Sequence, residues 1–154
     1  MLPFRTQPPA PRLPTGYRLE WQPSLQTATL VEGLDRLLLL CGDRPRGESL
    51  WQRVLERSTW HLVVQDPDER PVGFLRATSD QALNANLWDL LSDPSDPGRE
   101  EVITALVQSG LARLRRDLSG CSISLSAPPE ALRVLSRAGF VVDPGGIRAM
   151  GLDL

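Results

Sequence analysis

The sequence predicts a mixed α/β domain in which one mostly antiparallel sheet carries helices on both faces. Two observations lead to this class. Strand-like and helix-like segments alternate along the chain, and one strand–helix–strand unit, residues 85–126, has the length of a right-handed crossover between parallel strands. The composition, with 41% hydrophobic and 23% charged among 154 residues, is that of one globular domain.

The first half of the chain alternates apolar repeats with turn residues. Apolar and polar residues alternate over 17–21, which predicts a strand, and Ser24 is a candidate N-cap for the helix that follows. Leucines at helical spacing predict that helix over 30–41 and a shorter one over 50–55. Three consecutive strands are then predicted at 60–65, 72–78 and 85–91.

The second half contains the longest predicted helix, which covers residues 97–118. Asp96 is its candidate N-cap, Pro97 suits its first position, and its apolar residues form one continuous stripe. A strand over 121–126 and a helix over 128–139 follow, because prolines open and a glycine closes that helix. Two apolar segments around a Pro-Gly-Gly turn predict a terminal hairpin over 140–154.

The ends of the chain suggest its domain organisation and compartment. Residues 1–15 carry five prolines and few large apolar groups, so we expect a flexible tail before a single domain over 16–154. The chain begins without a basic stretch followed by an apolar core, and no apolar run approaches the roughly 18 residues of a membrane helix. We therefore expect a cytoplasmic protein with no membrane partner.

The charged and metal-binding residues exclude several kinds of site. All 17 basic residues are arginine, so lysine Schiff-base chemistry and the lysine of a P-loop are ruled out. A net charge of −2 argues against nucleic acid as a partner. One histidine and two cysteines 80 positions apart have no zinc-site spacing, so we expect no metal.

Two segments resemble the GCN5-related N-acetyltransferase (GNAT) family. Leu132–Phe140 looks like the family's last helix, which ends in Gly-Phe, as Gly139 and Phe140 do here. The turn over 93–99, Asp-Pro-Ser-Asp-Pro-Gly-Arg, sits where the family has its acyl-CoA loop. Together with the order of elements, the resemblance covers residues 17–154 and implies a central parallel strand pair, 85–91 and 121–126, that splays apart.

The resemblance implies an N-acetyltransferase that uses acetyl-CoA as co-substrate and a small-molecule or protein amine as acceptor. The cofactor's pyrophosphate would lie at the start of helix 97–118, and its pantetheine arm between the splayed strands. Asp89 is the candidate catalytic base; a side chain that points to solvent is its alternative. The candidate cofactor-binding residues are Leu90, Leu91, Gly98, Arg99, Glu100, Glu101 and Val102.

The sequence also departs from the family pattern. The loop's two glycine positions hold Glu100 and Val102, or Glu101 and Ile103 if the alignment shifts by one residue. The usual catalytic tyrosine falls on Leu135. A second hypothesis therefore stays open, in which the chain is a GNAT-like scaffold that serves as a binding or regulatory module. The sequence also leaves a homodimer open.

Overall fold

The structure, a computed structural model, describes residues 12–23 and 28–153. Residues 1–11 of the predicted tail, and the predicted cap at Ser24, lie outside the described residues. The helices and strands are β1 (Arg18–Trp21), α1 (Ala28–Leu40), α2 (Gly47–Glu56), β2 (Trp60–Gln65), β3 (Pro71–Ser79), β4 (Asn84–Ser92), α3 (Arg99–Asp117), β5 (Ser122–Leu125) and α4 (Leu132–Arg137). Short 3₁₀ turns cover Pro129–Ala131 and Pro144–Gly146.

The five strands form one sheet in chain order, β1-β2-β3-β4-β5. The first four pair antiparallel, because short turns connect β2 to β3 and β3 to β4. β4 and β5 pair parallel, joined by the crossover through α3. The predicted mixed α/β fold class and the parallel pairing of these two strands are therefore confirmed. The pair is not central, because β5 is the edge strand of the sheet among the described residues.

Each face of the sheet buries its own apolar cluster. On one face, α1 and α2 cover a cluster that includes Leu34, Trp51 and Phe74. On the other face, α3 and α4 cover a larger cluster around Trp60 and Leu106. Alternate residues of β2 and β3 enter opposite clusters, as the two-residue period of a strand requires.

The last residues of the predicted tail contact the domain, whereas the flexible tail itself stays a prediction. Leu13 packs against the cluster under α3, and the backbone N–H of Tyr17 donates to the Pro14 carbonyl at 3.1 Å. Pro14 also lies against Gly98, where an added Cβ would approach the proline ring to 2.6 Å. A chain rich in proline has little conformational entropy to lose, so a few apolar contacts suffice to order it.

Helix α3 begins two residues later than predicted. The Asp96 carboxylate accepts the Gly98 backbone N–H at 2.7 Å and the Tyr17 hydroxyl at 2.9 Å. The Arg99 backbone N–H donates to the Asp96 carbonyl. Asp96 therefore closes a turn ahead of the helix, and Gly98 takes the N-cap position.

The predicted terminal hairpin is wrong. Asp143 has a left-handed φ of 45°, and a 3₁₀ turn follows it in place of a two-strand turn. Among the described residues after α4, no strand forms, and the apolar side chains of Val141, Val142 and Ile147 are exposed. The outer edge of β5 is unpaired within the described residues, but the segment after α4 does not pair with it.

Candidate active site

The parallel pair β4–β5 opens into a gap at the carboxyl ends of both strands. Pairing runs from Asn84 opposite Ser122 to Leu87 opposite Leu125 and stops there, although β4 continues to Ser92. A cavity of about 590 Å³ lies beside this point. Its walls come from both strands, from α4 and from the segment 140–149. Backbone groups of β4 beyond Leu87 are thus free of β5.

Asp89 lies in β4 just past the last paired residue. The β3–β4 register shifts between Phe74 and Arg76, and Asp89 itself has a φ of 54°, so β4 bulges at this position. Its side chain is only 13% exposed. The alternative of a side chain pointing to solvent is therefore wrong.

Two arginines bind the Asp89 carboxylate. Arg46 donates through both of its terminal nitrogens, at 2.9 Å and 2.7 Å, and Arg76 donates through Nε at 2.5 Å. Burial would raise the pKa of Asp89, but the hydrogen bonds and charges of the two guanidinium groups outweigh it and hold the pKa below its usual value. An ionised carboxylate with its oxygens already bonded is a poor proton acceptor; the catalytic role of Asp89 as a base stays a prediction.

The loop between α1 and α2 fixes Arg46 in turn. The Asp35 carboxylate accepts the backbone N–H groups of Arg46 and Gly47 and the indole N–H of Trp51. The Arg46 guanidinium then lies 4.6 Å from the centre of the Trp51 ring. Sequence reasoning missed Arg46 and Arg76, because no local pattern links residues 43 and 13 positions from Asp89.

Several of the candidate cofactor-binding residues are buried. Leu90 and Leu91 are each less than a tenth exposed and belong to the clusters on opposite faces of the sheet. Val102 is fully buried, and its backbone N–H donates to the Gly98 carbonyl at 2.9 Å. Its side chain therefore has no path to a phosphate, and its N–H is already used by the helix.

Ion pairs connect the start of α3 with α4 and the turn before it. Arg99 donates to the Ser92 hydroxyl at 2.9 Å and to the Glu130 carboxylate at 2.7 Å. Glu100 pairs with Arg133 and, at 3.7 Å, with Arg137. Three arginines against two glutamates leave one positive charge in this cluster. The repulsion expected from Glu100 is therefore partly neutralised, while Glu101 is exposed.

The other titratable residues near the sheet have different places. Tyr17, the chain's only tyrosine, donates to Asp96 beside α3, and burial together with that carboxylate raises its pKa to about 12. His61 is 8% exposed on the face that contains Phe74, and neither ring nitrogen has a hydrogen-bond partner among the described residues. Burial lowers the pKa of His61. Neither residue lines the cavity.

Two searches for other features of the described residues gave no hit. In residues 12–23 and 28–153, no three or more histidine, cysteine, aspartate or glutamate side chains are grouped where they could hold a metal ion. Within that same part of the chain, no helix is both long and apolar enough to cross a membrane.

Sequence comparison finds relatives named as N-acetyltransferases. The chain is 32% identical over 126 residues to serotonin N-acetyltransferase 2, chloroplastic, of Oryza sativa, which covers 78% of this chain and 60% of that protein. It is 37% identical over 91 residues to GCN5-related N-acetyltransferase 1, chloroplastic, of Arabidopsis thaliana (57% of this chain, 44% of that protein). Histone acetyltransferase TAP1 of Glycine max is 36% identical over 93 residues (58% and 38%). The chain spans about half the length of the curated relatives it matches. No family model matches it.

Comparison of folds finds the same class of protein. A Trypanosoma brucei acetyltransferase superposes with a TM-score of 0.69 at 18% identity, over 90% of this chain and 99% of that one. An Escherichia coli GNAT family N-acetyltransferase, solved in complex with CoA, superposes with a TM-score of 0.62 at 21% identity, over 88% and 73%. The fold, with its parallel β4–β5 pair, is that of the GNAT acetyltransferases. The names of the sequence relatives agree with the family resemblance that the sequence shows.

Proposed function

We propose that the protein transfers an acetyl group from acetyl-CoA to an amine. The observation that carries this proposal is the gap where β4 and β5 stop pairing, with a bulge in β4 beside it and a cavity of about 590 Å³. Unpaired strand edges accept an extended chain of alternating donors and acceptors, which is the character of a pantetheine arm. The names of the sequence relatives support the same chemistry.

Acetyl-CoA supplies an activated thioester, whose thiol leaving group has a pKa near 8.5 and so departs without an obligatory acid. The protein then has to bind acetyl-CoA, orient the amine towards the thioester and polarise the thioester carbonyl. In this proposal, backbone N–H groups of β4 beyond Leu87, where pairing with β5 has ended, donate to the carbonyl oxygen as it gains negative charge. Leucine at position 135, in place of a tyrosine, is compatible with a mechanism that needs no side-chain acid.

The phosphate end of the ligand meets the start of α3. A helix N-terminus favours anions, and Arg99, Arg133 and Arg137 add positive charge around it. Glu100 opposes this, because its carboxylate competes with a phosphate for Arg133 and Arg137. Of the residues predicted to bind cofactor, Arg99, Glu100 and Glu101 keep that prediction through their accessible place at the helix start. Gly98 is buried beside Pro14, and its N–H already donates to Asp96.

A second candidate function is a binding or regulatory module that no longer uses acyl-CoA. One observation favours it: glutamate occupies the first turn of α3, and Glu100 already holds two arginines that a phosphate would need. The two candidates differ in one measurable property, the affinity for acetyl-CoA.

Calorimetric titration of the purified chain with acetyl-CoA, CoA and desulfo-CoA tests the choice. Acetyl-CoA in hundredfold excess over its dissociation constant should stabilise the protein by about 2.7 kcal/mol in a parallel unfolding experiment. Micromolar binding of all three ligands supports the acetyltransferase. Absence of binding at millimolar ligand overturns it in favour of the binding module.

The acceptor, partners and compartment are part of the proposal. An acceptor panel holds serotonin, because one relative is named for it, and a lysine-containing histone peptide, because another is named a histone acetyltransferase. The ring of Trp88, 43% exposed and part of the cavity wall, favours an aromatic amine over the peptide. We also propose a cytoplasmic protein that binds neither nucleic acid nor membrane; a homodimer stays a prediction for sedimentation analysis.

A further inference from the structure

Asp89 is unusual within the sheet because its backbone is left-handed. Among the described residues it is the one with a positive φ inside a strand, at 54°. Strand residues are normally extended, and a side chain with Cβ is strained in the left-handed region, least so for asparagine and aspartate. A strained residue in the middle of a strand persists only where its surroundings hold it.

The left-handed residue creates a bulge at the edge of the gap. Phe74 faces Leu91 and Arg76 faces Trp88, so the single residue between them in β3 stands opposite two residues of β4. This is the two-against-one count of a bulge whose first residue is left-handed, a position that usually requires glycine. Pairing with β5 ends two residues before Asp89, at Leu87. The backbone that faces the gap is therefore set by the conformation of Asp89.

The Asp89 carboxylate is held from two different elements. Arg76 belongs to β3, the neighbouring strand, whereas Arg46 comes from the loop before α2. Each of these side chains is less than a fifth exposed, so water competes poorly for their hydrogen bonds. Arg46 donates two parallel hydrogen bonds to the carboxylate, the geometry that best fixes its orientation.

We propose that Arg46 and Arg76 are positioning residues that act through Asp89: their hydrogen bonds hold the left-handed bulge of β4 and thereby aim its backbone N–H groups into the gap. The catalytic consequence rests on the proposed acetyl transfer, but the conformational claim does not. It makes Asp89 the anchor of the backbone that polarises the thioester rather than a base. The contacts of Asp35 and Trp51 support this arrangement, because they hold Arg46 in position to donate to the Asp89 carboxylate.

The conformational claim is tested on the free protein. Residual dipolar couplings of residues 88–90 report φ at position 89 without any ligand. The Arg46→Ala variant removes the hydrogen bonds of Arg46 and leaves Asp89 in place. We expect these couplings to change and average in Arg46→Ala. Arg18→Ala is the matched control, because it breaks an arginine–carboxylate pair on the surface of the same sheet. Unchanged couplings in Arg46→Ala overturn the proposal.

A second variant covers a failure of Arg46→Ala to fold. Arg46→Lys keeps the positive charge but loses the paired hydrogen bonds to one carboxylate. It should shift the couplings of residues 88–90 in the same direction by a smaller amount. We call the hydrogen bonds of Arg46 and Arg76 to Asp89 the clamp. Couplings in Arg46→Lys identical to those of the parent would count against the clamp as clearly as they would in Arg46→Ala.

The catalytic consequence has its own readout. Acetyl-CoA labelled with ¹³C at the acetyl carbonyl should show a lowered carbonyl stretching frequency when bound to the parent, and a smaller lowering in Arg46→Lys. With an acceptor from the panel, kcat should fall by about tenfold to a hundredfold at nearly constant KM for acetyl-CoA, because small misplacements of aligned groups cost rates of that order. The pH–rate profile should keep its shape; a shift of its acidic limb to higher pH in Arg46→Lys would identify Asp89 as a base and overturn the proposal.

The two proposals fail in different ways. If the parent protein binds no acetyl-CoA, the proposed function is overturned, and the dipolar couplings alone decide the clamp. If the parent binds and transfers acetyl groups but Arg46→Lys retains the parent carbonyl frequency and kcat, the clamp has no part in polarising the thioester.

Discussion

The contact between Gly73 in β3 and Val102 in α3 leads to a quantitative prediction. In one of the two alignments to the family, Val102 occupies the position of a loop glycine, and its side chain is fully buried. A Cβ added at Gly73 would lie 2.5 Å from Val102 Cγ1 and 3.0 Å from Leu106 Cδ1. Gly73 in β3 therefore lies directly against the Val102 side chain in α3.

We expect Gly73→Ala to destabilise the protein. Overpacking of a filled core costs about 1–3 kcal/mol, and the lower entropy of the unfolded alanine chain returns about 0.4–1 kcal/mol, which leaves a net loss of about 1–2 kcal/mol. The melting temperature should fall by about 2–4 °C for each kcal/mol in a chain of this length. Gly151→Ala is the matched control, because nothing lies within 4 Å of its added Cβ.

The decisive variant combines both changes. Val102→Ala alone removes two buried carbon atoms and should cost about 2–3 kcal/mol, including the cavity it leaves. In Gly73→Ala/Val102→Ala the new methyl group enters that cavity, so the double variant should be about 1–2 kcal/mol more stable than the sum of the single losses. Urea unfolding measures all three values. Strict additivity would refute the direct packing of these two positions.

Three further predictions concern charge. Glu100→Gln should tighten acetyl-CoA binding by roughly threefold to tenfold at low salt and less at high salt, since it removes a half-exposed carboxylate beside the phosphates and frees Arg133; calorimetry with an unchanged affinity contradicts it. Three backbone N–H groups lower the pKa of Asp80 to about 2. Its stabilisation is complete above the unfolded pKa of about 3.9 and lost as the pH falls toward 2, so Asp80→Asn should show a shallower loss of unfolding free energy over that range. Burial lowers the pKa of His61, so the unfolded chain binds a proton first and stability falls as the pH drops below about 6.5. His61→Phe should flatten that slope in urea midpoints at pH 7 and pH 5.5; an equal slope would show that His61 does not titrate on unfolding.

Local sequence patterns predicted the positions of strands and helices wherever the apolar residues of the pattern are the ones that the fold buries. β2 has the predicted bounds, Trp60–Gln65, because a run of apolar residues between turns has few other stable conformations. The crossover from β4 through α3 to β5 was also predicted, since its connection permits only a parallel pair of one hand.

The terminal segment shows where such reasoning ends. Two apolar segments around a Pro-Gly-Gly turn predicted two strands, but within the described residues neither pairs with the free edge of β5, and Ile147 stays exposed. A strand is stabilised by hydrogen bonds and packing against a neighbour, and the sequence of a segment does not show whether it will pair with an available edge.

The candidate site also combines features that the sequence predicted with features that only the tertiary structure shows. The sequence by itself determined the parallel pair and the place of Asp89 near the end of that pairing, because these depend on the order and period of neighbouring residues. The tertiary structure alone decided what Asp89 does there. Its partners Arg46 and Arg76 come from a loop and another strand, and they bind the carboxylate of a residue whose backbone is left-handed. Ion pairs between residues far apart in sequence leave no periodic trace in the chain, whereas burial of neighbouring residues does.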